Sequence, residues 1–261
     1  MIDYKKYDRL VSYGCSWTAG DEIRDHIILD LPYQKCRKLK LDLGFTNFGN
    51  LKTKAGDRYS TLLDKNKHIN SNASWTSYLA KNLDLKFKNR AQGGSSMDQI
   101  LYNIVKDTGN GLLSSKDLII VGITTPARSF MWKDGESPSS YVLGTTTQIP
   151  AKVKDWCLTN IWSDSQLIYN WLKTINTIAM MQENVYFLFI RPICNPVESE
   201  NYKVSHENKF FYDQTMQKLG HKFLDLKLHL ELGDEHCGFG HPQEKEHIKL
   251  ANKLTNLIKG N

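Results

Sequence analysis

The stretch that most constrains the fold is Asp117-Leu-Ile-Ile-Val-Gly-Ile-Thr124, a continuous apolar run with no polar alternation. Such a run predicts a strand covered on both faces, and strands of that kind belong to mostly parallel sheets flanked by helices. Leu10 to Tyr13, Leu85 to Arg90 and Val185 to Ile190 are further strand candidates. Between them the period changes to that of a helix. Trp75, Tyr78, Leu79 and Leu83 follow Ser74, a predicted N-cap, and Met97, Ile100, Leu101, Ile104 and Val105 follow Gly93-Gly94-Ser95-Ser96. Leu167 to Ala179 carries another apolar stripe, read as core packing. A last helix begins after Pro242, with Glu244 and Glu246 in its first turn. Strands alternating with helices predict a three-layer α/β/α sandwich around a mostly parallel central sheet.

The 261 residues, 40% hydrophobic and 24% charged, suit one folded domain over 1–261. The charged N-terminus, followed only by Leu10-Val11, reads as neither a signal peptide nor a membrane span. Five widely spaced cysteines without a C-x-x-C pair argue against a disulfide framework or zinc knuckle, and predict reduced thiols in a cytosol. Two segments interrupt the regular pattern. Residues 23–73 show no sustained period and read as an irregular basic insertion, with Lys35, Arg37, Lys38, Lys40, Lys52 and Lys54 opposed only by Asp42 between Tyr33 and Lys54. Residues 128–151 are rich in Ser, Thr, Gly and Pro and read as a loop or hairpin excursion.

Open α/β sheets bind ligands at the carboxyl ends of their strands, which directs attention to Gly14-Cys-Ser-Trp-Thr-Ala-Gly20. Ser16 lies there between Gly14 and Gly20, so a substrate can approach both its hydroxyl and its backbone N–H. A serine so placed can attack a carbonyl or simply cap a helix. His241, in Gly-Phe-Gly-His-Pro just ahead of the last helix, is its natural partner. His236 and His247 read as non-catalytic, His247 as a surface or packing residue.

These segments resemble the ordered blocks of the SGNH/GDSL hydrolases. Tyr13-Gly-Cys-Ser-Trp-Thr-Ala-Gly20 resembles the nucleophile block and Asn89-Arg-Ala-Gln-Gly-Gly-Ser-Ser96 the glycine block. Asp117 to Thr125 resembles the third block, and His241-Pro242 the last. The Gly-Cys-Ser-Trp-Thr-x-Gly-Asp wording, with Ser74-Trp75 ahead of the glycine block, is most similar to SGNH-like proteins of tailed bacteriophages and marine bacteria. The resemblance implies a flavodoxin-like sheet, Ser16 as nucleophile, His241 as general base, and the N–H groups of Ser16 and Gly94 as oxyanion donors.

The chain departs from the family pattern in three places. Cys15 stands where the family usually has Asp, which leaves the nucleophile intact. Pro126 stands at the position of the third-block Asn, whose side chain donates to the oxyanion, and Thr124, Thr125 and Arg128 are the candidates to replace it. Arg128 is equally a candidate to grip an anionic substrate group or to cap the sheet end. Gly238 occupies the place of the Asp three residues before the histidine, so Asp234, Glu235 or a backbone carbonyl would have to orient His241.

The expected activity is removal of a short acyl group from a polar, carbohydrate- or nucleoside-like ester through an acyl-serine intermediate. The same machinery serves an acyltransferase, and the two departures at the oxyanion and orienter positions suit a non-catalytic binding or structural protein. The polar mouth expected from Thr18, Gln92, Ser95 and Arg128 favours a polar over a lipid substrate. The formal charge of +6 permits an anionic substrate, nucleic acid included, without demanding one. No metal-ligand spacing, P-loop or dinucleotide fingerprint is present in the sequence, so no cofactor is expected.

Overall fold

The computed structural model describes residues 2–19, 24–30, 32, 35, 62, 65–126, 128–131, 139–142, 163–191, 196–197, 202–227 and 244–260. The strands are β1 (Arg9–Tyr13), β2 (Lys86–Asn89), β3 (Asp117–Gly122), β4 (Arg128–Met131), β5 (Ser139–Val142), β6 (Val185–Arg191) and β7 (Phe223–Lys227). The helices are α1 (Ser16–Ala19), α2 (Asp25–Ile28), α3 (Trp75–Leu83), α4 (Met97–Gly109), α5 (Asp164–Met181), α6 (His206–Leu219) and α7 (Glu244–Lys259). Further helical residues lie at 65–72, within the stretch that carries no sequence period. Five strands form one sheet in the order β2-β1-β3-β6-β7, every neighbouring pair parallel, while β4 and β5 form a separate antiparallel pair within the 128–151 excursion.

β3 is the central strand, and its burial explains its composition. Successive side chains of a strand face opposite ways, so a strand covered on both sides needs an apolar residue at each step. Leu118 and Ile120 pack with Leu10 and Leu188 against Trp75 and Leu79 of α3 and Leu250 and Leu254 of α7. Ile119 and Val121 pack with Val11, Tyr13 and Phe187 against Ile100 and Ile104 of α4, Trp171 and Ile175 of α5, and Tyr212 of α6. Two helical layers thus enclose the sheet, giving the three-layer sandwich.

Helix entry is governed by capping. Ser96, Ser163 and Ser205 each accept the backbone N–H three residues on, at 3.2 Å, and so open α4, α5 and α6. Ser74 precedes α3 as expected, but its hydroxyl donates to the Ser71 carbonyl at 2.6 Å and makes no cap bond. The N–H of Trp75 donates instead to Nδ1 of His247 on α7, at 3.0 Å. A helix N-terminus leaves backbone donors without intrahelical partners, and a side chain from the packed neighbour satisfies this one. His247 is therefore a buried packing residue that ties α7 to α3.

Candidate active site

The strand order reverses direction between β1 and β3: from β1 the chain moves to β2 on one side, from β3 to β6 on the other. Crevices at such a switch point, at the carboxyl ends of the strands, are where open α/β sheets take their ligands. Gly14 follows β1 there, and α1 starts at Ser16. Thr18 fixes the turn. It is 3% exposed, and its side chain fills the space left by the missing side chains of Gly14 and Gly122 at the ends of the two strands. A Cβ on Gly14 would stand 2.6 Å from the Thr18 Cβ, and one on Gly122 would collide with the Thr18 Oγ1. Thr18 consequently does not line the mouth as the sequence suggests. It is packed beneath it, because both glycines admit it to the sheet.

Asn89, the last residue of β2, is the second device holding this turn. Its amide nitrogen donates to the Thr18 carbonyl at 2.8 Å, the Ala19 carbonyl at 3.4 Å and the Ser74 hydroxyl at 3.3 Å. Its amide oxygen accepts from the Ala91 N–H at 3.1 Å and the Ser12 hydroxyl at 3.2 Å. One side chain thereby joins α1, β1, the N-terminus of α3 and the first residues of the glycine block. The sequence reading gave Asn89 no role of its own. Its only signal was a polar residue at a strand end, immediately before Arg-Ala-Gln-Gly-Gly.

Beyond Asn89 the chain stays beside β1, with the Arg90 N–H donating to the Ser12 carbonyl at 2.8 Å and the Gln92 N–H to the Gly14 carbonyl at 3.1 Å. Arg90 is anchored below by a two-point pair with Asp107 of α4, which also accepts from the Tyr13 hydroxyl at 2.6 Å. Burial first, and then this bond to Asp107, raise the Tyr13 pKa and keep the phenol neutral. Gly94 has φ +77°, a conformation that glycine enters without strain, whereas a Cβ there would meet nothing within 4 Å. Conformation, not space, calls for glycine at this position.

The third segment follows β3. Thr124 is 2% exposed, and its carbonyl accepts from the Trp171 indole N–H at 2.7 Å. The Thr125 hydroxyl shares a 2.5 Å hydrogen bond with the Tyr202 hydroxyl. Pro126 is buried and, as a proline, has no N–H to donate. Arg128, the first residue of β4, donates from Nη1 to the Ser95 carbonyl at 3.2 Å, bridging the third segment to the glycine block. The Arg128 Nε and the Ser95 hydroxyl are both buried without a hydrogen-bond partner. Orphaned donors of this kind cost about 1–3 kcal/mol each, more when charged. Gln92 is exposed at the same edge, its side-chain oxygen accepting from Gln99 at 3.3 Å.

The last block enters through α7. Glu244, three residues after His241 in the sequence, receives Nε and Nη2 of Arg24 at 2.9 and 2.5 Å and the hydroxyl of Tyr78. The Arg24 bond, opposed by burial, holds the Glu244 carboxyl below its usual range, and its place in the first turn of α7 adds a favourable dipole interaction. The Arg24 N–H donates in turn to Asn70 at 2.7 Å. The segment after the serine turn is thus clamped to the start of α7 and to α3. His241, Asp234, Glu235, Gly238 and the Ser16 hydroxyl lie outside the described residues. So do all the lysines and arginines of the basic stretch between Tyr33 and Lys54 except Lys35, which is exposed. Among the described residues no three His, Cys, Asp or Glu side chains could hold a metal ion, and no helix is long and apolar enough to cross a membrane.

No protein-family model and no curated protein matches the chain. Solved structures do resemble it. A carbohydrate esterase family 2 enzyme with a carbohydrate-binding domain, from Corynascus thermopiles (Myceliophthora fergusii), has 12% identity and a TM-score of 0.48 over 97% of this chain and 66% of its own. A family two carbohydrate esterase from Cellvibrio japonicus has 15% identity and a TM-score of 0.45, over 97% of this chain and 61% of its own. A member of the lipolytic protein G-D-S-L family from Veillonella parvula has 11% identity and a TM-score of 0.46, over 96% and 98%.

Proposed function

We propose that the chain is a serine esterase of the SGNH type that removes a short acyl group from a polar, carbohydrate-like substrate in the cytosol. The observation that carries this reading is the position of the Ser16 turn. It stands at the carboxyl end of β1, at the topological switch point, and is fixed from below by Thr18 between two glycines and from the side by Asn89. A nucleophile requires this kind of support, because small displacements of a reacting group cost large factors in rate.

In the proposed reaction the Ser16 Oγ attacks the ester carbonyl carbon while His241 takes the hydroxyl proton. The N–H groups of Ser16 and Gly94 hold the oxyanion, and the tetrahedral intermediate collapses as His241 returns the proton to the leaving alcohol. His241 then takes a proton from water, whose oxygen attacks the acyl-serine carbonyl carbon, and returns that proton to the Ser16 Oγ as the acid leaves. Asp234 or Glu235 orients the imidazole in this reading. Pro126 withholds the side-chain donor that the resemblance leads one to expect, a loss of about 2.7–4 kcal/mol in comparable sites, so a modest turnover is expected.

Hydrolysis of 4-nitrophenyl acetate by the wild-type chain, its loss in Ser16→Ala and in His241→Ala, and product analysis with and without an alcohol acceptor test this reading. Transfer to the acceptor in preference to water assigns the acyltransferase instead. The buried Pro126 favours one second reading, a sugar-binding protein without turnover, which predicts no acyl release from any ester.

A further inference from the structure

Four arginines have side chains that the structure describes. Arg9, Arg24 and Arg90 each present Nε and Nη2, the side-on edge of the guanidinium, to the two oxygens of one carboxylate, in Asp117, Glu244 and Asp107 respectively. Arg128 is the fourth. It spends Nη1 on the Ser95 carbonyl at 3.2 Å, and Nε, on its side-on edge, is buried without a hydrogen-bond partner. The hydroxyl of Ser95, a residue 1% exposed, is the second buried orphan among the described residues, and the same bond holds the two residues together.

We infer that Arg128 and Ser95 form a subsite for a two-oxygen anionic group of the substrate, a carboxylate or a phosphate monoester. The guanidinium edge matches such a group at two points, as it does in the three internal pairs, and the Ser95 hydroxyl supplies a further donor. The subsite lies at the start of the 13-residue helix α4, whose N-terminal dipole favours negative charge, and next to Gly94. A tetrahedral oxyanion is a single oxygen, for which a two-point edge plus a hydroxyl is a poor match. A substituent carried elsewhere on the substrate fits the donors better. This inference takes its sugar-like carrier from the proposed function, but its test does not require turnover.

The test is calorimetric titration of the full-length Ser16→Ala chain with D-glucuronate, D-glucose 6-phosphate and D-glucose. At least one anion is expected to bind tenfold or more tightly than glucose, and which of the two does so identifies the carboxylate or the phosphate. Arg128→Gln in that background is expected to abolish the preference. Arg128→Lys, which keeps the charge but not the two-point edge, is expected to weaken anion binding at least fivefold, and Ser95→Ala severalfold. Thermal midpoints report whether each variant is folded, and if Arg128→Gln is not, the Lys and Ser95 variants decide. Equal binding of glucose and both anions, or a preference that survives in folded Arg128 variants, overturns the inference. Neither result bears on whether Ser16 turns over an ester.

Discussion

The two ends of the β1–β3 ladder use their polar groups in opposite ways. At the amino ends Arg9 and Asp117 are register partners joined at two points, each 2.8 Å. Asp117 also accepts the Ser114 N–H at 2.8 Å, Arg9 reaches the Leu112 carbonyl at 2.9 Å, and Asn184 donates to the carbonyls of Ser114 and Asp117. At the carboxyl ends the strands finish in glycines, a threonine sits in the space they leave, and the Ser95 hydroxyl and Arg128 Nε are buried without partners. A fully satisfied polar network rigidifies the strand pairing it spans, whereas a buried donor without an acceptor is costly and calls for a specific explanation, a bound ligand among them. One end of this sheet closes its polar groups on one another, and the other leaves donors open, which is what the proposed binding role requires.

That contrast can be broken from either side. The largest effect is expected from Ser16→Ala, which should lower kcat on 4-nitrophenyl acetate by at least ~10³-fold, since removal of a nucleophile leaves only binding and oxyanion stabilisation, with the thermal midpoint moved by no more than a few degrees. Asn89→Ala should lower kcat ~10–100-fold with KM nearly constant, because it loosens the serine turn without touching substrate. Asn89→Asp keeps the acceptor for Ala91 and Ser12 but loses the donor to Thr18, so a comparable kcat loss with an unshifted thermal midpoint would locate the effect in the turn. A purely structural Asn89 would instead move the midpoint and leave kcat alone.

Gly14→Ala and Gly122→Ala should each cost ~1–3 kcal/mol by overpacking. The pair differs in an informative way. Thr18→Ala should rescue Gly122→Ala, where only the Thr18 Oγ1 collides, but not Gly14→Ala, where the Thr18 Cβ is itself 2.6 Å away. Denaturant melts of the three single and two double variants read this coupling directly.

At the amino end, Asp117→Asn should cost ~1–3 kcal/mol of stability while leaving kcat/KM unchanged below the melting range. Its pH dependence follows from the shifted carboxyl. Burial raises the Asp117 pKa, but the Arg9 guanidinium and the Ser114 N–H outweigh it, so the folded-state pKa lies below its ordinary value. Such a group contributes stability that is fully present above the unfolded-state pKa and is lost as the pH falls through the folded-state value. Wild type and Asp117→Asn should therefore differ most at neutral pH and converge in acid, as measured by urea midpoints at a series of pH values.

The fold was legible where burial imposes a period. β3 needs apolar residues at every position, and α4, α5 and α7 each present one stripe, so their existence and type follow from the sequence. α6 does not announce itself, because its buried residues are Asn208, Tyr212, Thr215 and Leu219 while Phe210 and Phe211 stand exposed. The polar members of that buried face are satisfied across helices, Asn208 by the Ser165 carbonyl and Thr215 by Asn176. At the site, the small residues after β1 marked the serine turn. The role of Asn89 was hidden, because it depends on β2 lying beside β1 with Asn89 opposite Ser12. Thr18 looked like a mouth residue for the same reason: only the pairing of β1 with β3 brings Gly14 and Gly122 together around it. Arg128 was recognisable as a cation near the strand ends, but a missing partner is a property of the packed molecule.

The central claim, that the carboxyl end of β1 carries an activated serine, is tested most directly by labelling the folded chain with a fluorophosphonate and mapping the adduct by mass spectrometry. The probe reports nucleophile activation without knowledge of the substrate. The account predicts one adduct, on Ser16, absent in Ser16→Ala and strongly reduced in His241→Ala. An adduct on another serine, or no labelling of folded protein, would contradict it.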